Sequence, residues 1–143
     1  MNSVKESIPH RDPFLFVDRI LALEGQKIRT EKIFPPTTDF YGGHYPGNPI
    51  TPGVILCETV FQTAAILILK LFPLLEMQTP VLARIEDARF KSIVKPNELL
   101  KIEAELNEKI GKFFMMSGTI SKEDHSIALK TKFALALVGP RSL

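Results

Sequence analysis

Apolar and polar residues alternate most cleanly in ELLKIEAELN at 98–107. Leu100, Ile102, Ala104 and Leu106 fall on one face, and Lys101, Glu103, Glu105 and Asn107 on the other. A period of two predicts an antiparallel strand with one wet face. The same reading, with less regular alternation, predicts strands in KIRTEKIF (27–34), in KFFMMSGTIS (112–121) and in IALKTKFALALV (127–138), where Ile127, Leu129, Thr131, Phe133, Leu135 and Leu137 share a face. EKIGK and SKEDHS supply the turns between them. The apolar stretch 14–23 reads as the start of a further strand, and VLARIEDARF as a strand over 80–86, a bend, and a continuation in RFKSIV.

Two segments break this pattern. FPPTTDFYGGHYPGNPITPG, ending at Gly53, holds five prolines and four glycines, so no regular element runs through it. Phe40, Tyr41 and Tyr45 give that loop something to pack. VILCETVFQTAAILILK follows with no breaker before Pro73. Thr51 is read as its N-cap and Pro52 as its first helical residue. From Pro52 to Leu71 the helix would be about 30 Å long. Its apolar positions cover nearly the whole circumference, which demands burial on all sides. Two strands, a loop, one long helix and about four more strands therefore predict an α+β fold. An antiparallel sheet curls around a central helix, with residues 1–143 as a single domain and a second subunit covering what the sheet leaves open.

Composition narrows the function classes. Eighteen Lys and Arg against sixteen Asp and Glu leave a formal charge of +2, without the clustered basic face of a nucleic-acid binder. The longest apolar run, 54–69, is too short for a membrane span and carries Glu58 and Gln62 in its middle. One cysteine, Cys57, excludes an internal disulfide and suits a reducing, cytoplasmic setting. The opening MNSVKESIPHRDP lacks an apolar signal stretch, so no secretion signal is expected. Ten phenylalanines and no tryptophan suit either a core or an apolar tunnel.

Candidate chemistry lies where loop meets helix. Glu58 sits among Ile55, Leu56, Cys57, Val60 and Phe61. Burial without a cation raises a carboxyl pKa and makes it an acid; the other reading is a carboxyl reaching solvent or bonded internally. Gln62, one turn on, either orients Glu58 or ties the helix to a loop. His44 in GGHYPG is the histidine best held for general-base work, since this side chain titrates nearest neutrality. His10 reads as structural and His125 as a surface turn residue. The Gly53 N–H at the positive helix end can hold the charge that develops on a carbonyl. Base, acid and oxyanion donor together suit β-elimination of water. No GxSxG, HExxH, dinucleotide fingerprint or P-loop is present.

IPHRDPFLFVDRI (8–20), GHYPGNPITPGVILCETVFQ (43–62) and ARFKSIVKPNE (88–98) resemble the 3-hydroxyacyl-[acyl-carrier-protein] dehydratases of type II fatty acid synthesis. The resemblance implies a hot-dog fold and the conversion of 3-hydroxyacyl-carrier protein to the trans-2-enoyl product. It implies His44 and Glu58 as the catalytic pair, drawn from two subunits, with Gly53 at the thioester carbonyl and Gln62 in support. It further implies homodimers, commonly grouped as three dimers, and no metal or redox cofactor. The acyl chain would lie in an apolar tunnel near Tyr45, Pro52 and Phe61, delivered on the phosphopantetheine arm of acyl carrier protein. Arg89, Lys91 and Lys95 are the expected docking cations, with Lys112 and Lys132 as further candidates. ETVFQ stands where EAMAQ is common, placing bulky Phe61 at a small position, and PNE replaces PGD at 96–98. The alternatives are a hot-dog thioesterase and a non-catalytic acyl-binding subunit.

Overall fold

A computed structural model describes residues 3–73 and 78–139. A short helix α1 (Val4–Ser7) and a lead-in precede strands β1 (Arg19–Glu24) and β2 (Lys27–Ile33). The proline-rich loop, with one 3-10 turn at Asp39–Gly42, leads into helix α2 (Gly53–Leu71). Strands β3 (Thr79–Phe90), β4 (Leu99–Ile110), β5 (Phe113–Lys122) and β6 (Ile127–Val138) complete the chain. They form one open antiparallel sheet in the order β1-β2-β4-β5-β6-β3, wrapped around α2: the hot-dog arrangement.

The wrapping follows from the patterns. Ile28, Leu100, Ile102, Ala104, Phe114, Met116, Ile120, Leu129 and Phe133 are buried against Val60, Ala64, Leu67 and Ile68 of α2 in a single core. Each of the Val, Leu, Ile, Met and Phe side chains among them contributes about 1.5–3 kcal/mol on full burial. α2 is apolar and long enough to cross a membrane, but 67% of its most apolar window is buried inside the sheet. The small residue Gly118 of β5 lets helix and sheet close up. A Cβ there would lie 2.2 Å from Val60 Cγ1 and 3.3 Å from the Glu103 carbonyl oxygen. Gly118→Ala should therefore destabilise the fold by about 1–3 kcal/mol through overpacking. Denaturant unfolding checks this: Val60→Ala in the same chain should restore part of the loss, and an unchanged midpoint would contradict the close approach.

Four local expectations are corrected. Strand β1 begins at Arg19, because Leu15, Phe16 and Val17 are buried in the lead-in without a strand neighbour. β3 is one strand from Thr79 to Phe90, its curvature taken up by irregularities between Leu82 and Arg84 and between Ile85 and Asp87. The β4–β5 turn is shorter than EKIGK, because Gly111 at φ +59° permits a two-residue reversal between Ile110 and Phe113. Thr51 does not cap α2. Its hydroxyl bonds the Tyr41 hydroxyl, and Pro52, rather than being the first helical residue, is the N-cap, with no side-chain capping bond.

Candidate active site

Glu58 projects from the second turn of α2 with its side chain 23% exposed. Gln62, one turn later, donates from Nε2 to Glu58 Oε2 at 3.0 Å. The same Nε2 donates to the Phe14 carbonyl at 2.9 Å, and Gln62 Oε1 accepts from the Phe16 N–H at 2.7 Å. Gln62 therefore holds both the carboxyl and the lead-in; the loop it secures is 14–16, not the one bearing His44. Burial pushes the Glu58 carboxyl up from the ordinary glutamate range, and the Gln62 hydrogen bond offsets this only in part.

The lead-in also delivers His10. Its Nε2 lies 3.7 Å from Glu58 Oε2, and its Nδ1 is buried with no hydrogen-bond partner among the described residues. Burial, with the Arg11 charge beside it, holds the imidazole below the usual histidine value. Glu58 is shifted up and His10 down, so each is moved toward its neutral form across this contact. The sequence reading set His10 aside as structural. It lies within IPHRDPFLFVDRI, one of the segments that carry the family resemblance, but nothing local to that segment points the ring at Glu58.

Glu58, His10, Gln62 and Phe61 line a cavity of about 380 Å³ that runs beside the N-terminal half of β3 and reaches Leu135 of β6. Phe61 is buried in its wall, packed against Phe133 at 4.7 Å between ring centroids. A large ring where space for an acyl chain is expected narrows the cavity there. Tyr45 and Pro52 do not line it.

His44 stands elsewhere. The 3-10 turn is capped by Gly43, and the Tyr41 and Thr51 hydroxyls join this turn to the foot of α2. Thr51 N–H bonds the Val94 carbonyl at 2.8 Å. On this support His44 Nδ1 lies 2.7 Å from the Ile50 carbonyl oxygen, a contact in which Nδ1 must be the donor; in the neutral tautomer this leaves the lone pair on Nε2. Tyr45, at φ 56° and 63% exposed, sets its ring edge-on to the imidazole. His44 makes no hydrogen bond or ion pair with Glu58 of its own chain; the cavity around Glu58 does not include it.

At the start of α2 the Pro52 carbonyl accepts from Ile55 and Leu56, while the N–H groups of Gly53 and Val54 have no acceptor among the described residues. They are the free donors of an uncapped helix end. Phe90 covers Gly53 so closely that a Cβ would meet its ring at 2.9 Å. The Asn97 of PNE adopts φ 69°, the left-handed region that asparagine tolerates best after glycine.

Arg89 and Lys91 lie together on the outer face of the sheet. With Lys130 and Lys132 of β6 they line a concavity of about 590 Å³, where Asp87 pairs with Arg89 at 3.0 Å. Lys95 is exposed in the loop beyond β3, outside that concavity, and Lys112 lies in the β4–β5 turn beside the Phe113 ring. Lys130 was not singled out from the sequence, since its position beside Arg89 appears only once β3 pairs with β6.

A family model described as the FabA-like domain matches residues 8–131. The 3-hydroxyacyl-[acyl-carrier-protein] dehydratase FabZ of Caldicellulosiruptor saccharolyticus is 41% identical over 107 residues, covering 74% of this chain and 76% of that protein. Among solved structures, the dehydratase heterocomplex ApeI:P from Xenorhabdus doucetiae superposes with a TM-score of 0.78 at 14% identity, over 99% of this chain and 94% of that one. A hypothetical thioesterase from Streptococcus pneumoniae, solved with coenzyme A, gives 0.66 at 15% identity over 85% of each chain. These two structural likenesses concern the fold alone.

Proposed function

The chain belongs to the FabA-like family and is a 3-hydroxyacyl-[acyl-carrier-protein] dehydratase, and from that premise we propose that His44 of one subunit and Glu58 of another are its acid–base pair. The observation that carries this is the Glu58 carboxyl, shifted toward its neutral form in a cavity where the described residues of its own chain offer no free base. His10 cannot serve: one ring nitrogen faces Glu58 and the other is buried. His44 has a free Nε2 and no acid beside it.

A second copy supplies what each site lacks. β3 is an edge strand, and it presents exposed Leu82, Ile85 and Phe90, followed by Ile93 in the loop beyond. An unpaired, apolar edge is a template for strand pairing. Pairing two copies along β3 about a two-fold axis covers the open side of the Glu58 cavity, and the same surface on each subunit is used. Grouping of such dimers by threes follows the family habit.

In the reaction His44 Nε2 takes the proton next to the thioester carbonyl. Charge moves to the carbonyl oxygen, where the free Gly53 N–H stabilises it. Glu58 gives its proton to the β-hydroxyl, the C–O bond breaks, and water leaves with formation of the trans double bond. The imidazolium and carboxylate left behind reset by proton exchange. Arg89, Lys91, Lys130 and Lys132, with Lys95 nearby, are the cations we assign to docking an acidic carrier protein; such charges act mainly on encounter. The setting is cytoplasmic.

Because dehydratases and a thioesterase share this fold, an assay must separate the activities. With a 3-hydroxyacyl thioester the protein should generate the ultraviolet absorbance of a 2-enoyl thioester and little free thiol. Thiol release without enoyl product, from hydroxyacyl or saturated substrates, would contradict the assignment of chemistry to His44 and Glu58.

A further inference from the structure

We propose that His10 is a positioning residue for Glu58, its neutral Nε2–H holding Oε2 as an acceptor so that the transferable proton sits on Oε1. This rests on the reading of Glu58 as the acid.

The geometry distinguishes the two carboxyl oxygens. Oε2 receives the Gln62 amide N–H at 3.0 Å and faces His10 Nε2 at 3.7 Å, while Oε1 has no partner among the described residues. An oxygen turned toward two N–H donors is the carbonyl oxygen of a carboxylic acid, so the hydroxyl is Oε1. The His10 tautomer follows from burial. Nδ1 has no partner, and a buried unmet N–H is less tolerable than a buried unmet lone pair, so the proton belongs on Nε2. At 3.7 Å the contact is longer than a hydrogen bond, and closure onto bound substrate is the usual way such contacts tighten.

The lead-in is built to keep this ring in place and uncharged. The Arg11 guanidinium bonds the carbonyls of Lys5, Ile8 and His10, at 3.0, 2.8 and 2.7 Å, which fixes both the backbone and a positive charge beside the imidazole. Gln62 anchors the same lead-in at Phe14 and Phe16. Among the described residues, the ionisable groups near His10 are Arg11 and Asp12 on its own segment and Glu58 on α2, with Cys57 next to Glu58. The cavity walls from β3 (Thr79 to Leu82) and β6 (Leu135) carry none. A cation in place of the neutral ring would pair with a Glu58 carboxylate and draw away the proton that the elimination needs.

Three substitutions and one control test this, using the full chain with a 3-hydroxyacyl thioester across pH, and thermal unfolding to verify folding. His10→Gln keeps an Nε2–H donor and should retain kcat within about threefold of wild type. His10→Phe removes it and should lower kcat about tenfold, with a smaller change in KM. His10→Lys should move the basic limb of the kcat profile to lower pH by about one unit. Equal losses in the Gln and Phe variants, or an unmoved limb in the Lys variant, would overturn the proposal. If His10→Phe does not fold, the Gln and Lys variants decide by the same criteria. Glu58→Gln is the control. If it is inactive while every His10 variant matches wild type, only the positioning role falls; if it is itself near-normal, the acid assignment falls too.

Discussion

Glu58→Gln lowers the dehydration rate about a thousandfold and leaves a folded protein, because it removes one proton from the site and little else. Glutamine has the shape of the protonated acid and can still accept the Gln62 amide through its carbonyl, so the link from α2 to Phe14 and Phe16 survives. What it cannot do is protonate a leaving hydroxyl. The loss should appear in kcat more than in KM, since ground-state packing in the cavity is unchanged. The pH behaviour carries the same signature. Glu58 is held toward its neutral form, so in the wild type activity persists above the ordinary carboxylate range and falls once the folded-state carboxyl ionises. Residual activity in the glutamine variant should lack that basic limb. Steady-state rates of enoyl formation across pH measure both, and near-normal turnover would mean that another group provides the acid.

His44→Ala should produce a loss of similar size by the opposite route. The imidazole is oriented through Nδ1 and the Ile50 carbonyl, and Nε2 is the one ring atom left to accept a proton. Removing it leaves the Glu58 cavity intact, because His44 contributes nothing to that cavity within its chain. Thermal stability should therefore change little, while enoyl formation drops about a thousandfold. The same assay checks it. A variant retaining most of its rate would show that water or another side chain takes the proton.

The parts of the fold that could be read in advance are those whose pattern is set by a single boundary between core and water. β4 was legible because Leu100, Ile102, Ala104 and Leu106 all face α2, and α2 itself because a helix apolar on every side has no other home in so small a chain. The misreadings share a cause: a long-range partner replaced the local one. Leu15–Val17 looked like strand because they are apolar, but their backbone is held by the Gln62 amide, not by a neighbouring strand. Thr51 looked like a cap, but Tyr41 claims its hydroxyl. β3 looked interrupted at residue 86 because irregularities in its pairing with β6 disturb its alternation.

The site divides in the same way. His44, Gly53, Glu58 and Gln62 were singled out because each is an unusual residue for its immediate surroundings: a histidine among glycines, a glycine opening a helix, two polar residues in an apolar run. His10 has no such local oddity; only the folded lead-in brings it against Glu58. Phe61 was identified as an oversized residue, and its burial against Phe133 shows which wall it thickens.

The proposed chemistry requires a site shared between subunits, and mixing two inactive variants tests that most directly. His44→Ala and Glu58→Gln proteins, each nearly inactive alone, are combined under conditions that exchange subunits, and enoyl formation is measured against wild type at equal concentration. Random pairing makes half the dimers mixed, and each mixed dimer holds one site with both residues intact, so activity should rise to about a quarter of wild type. If subunits demonstrably exchange and the mixture stays as inactive as its components, the two residues do not act across an interface.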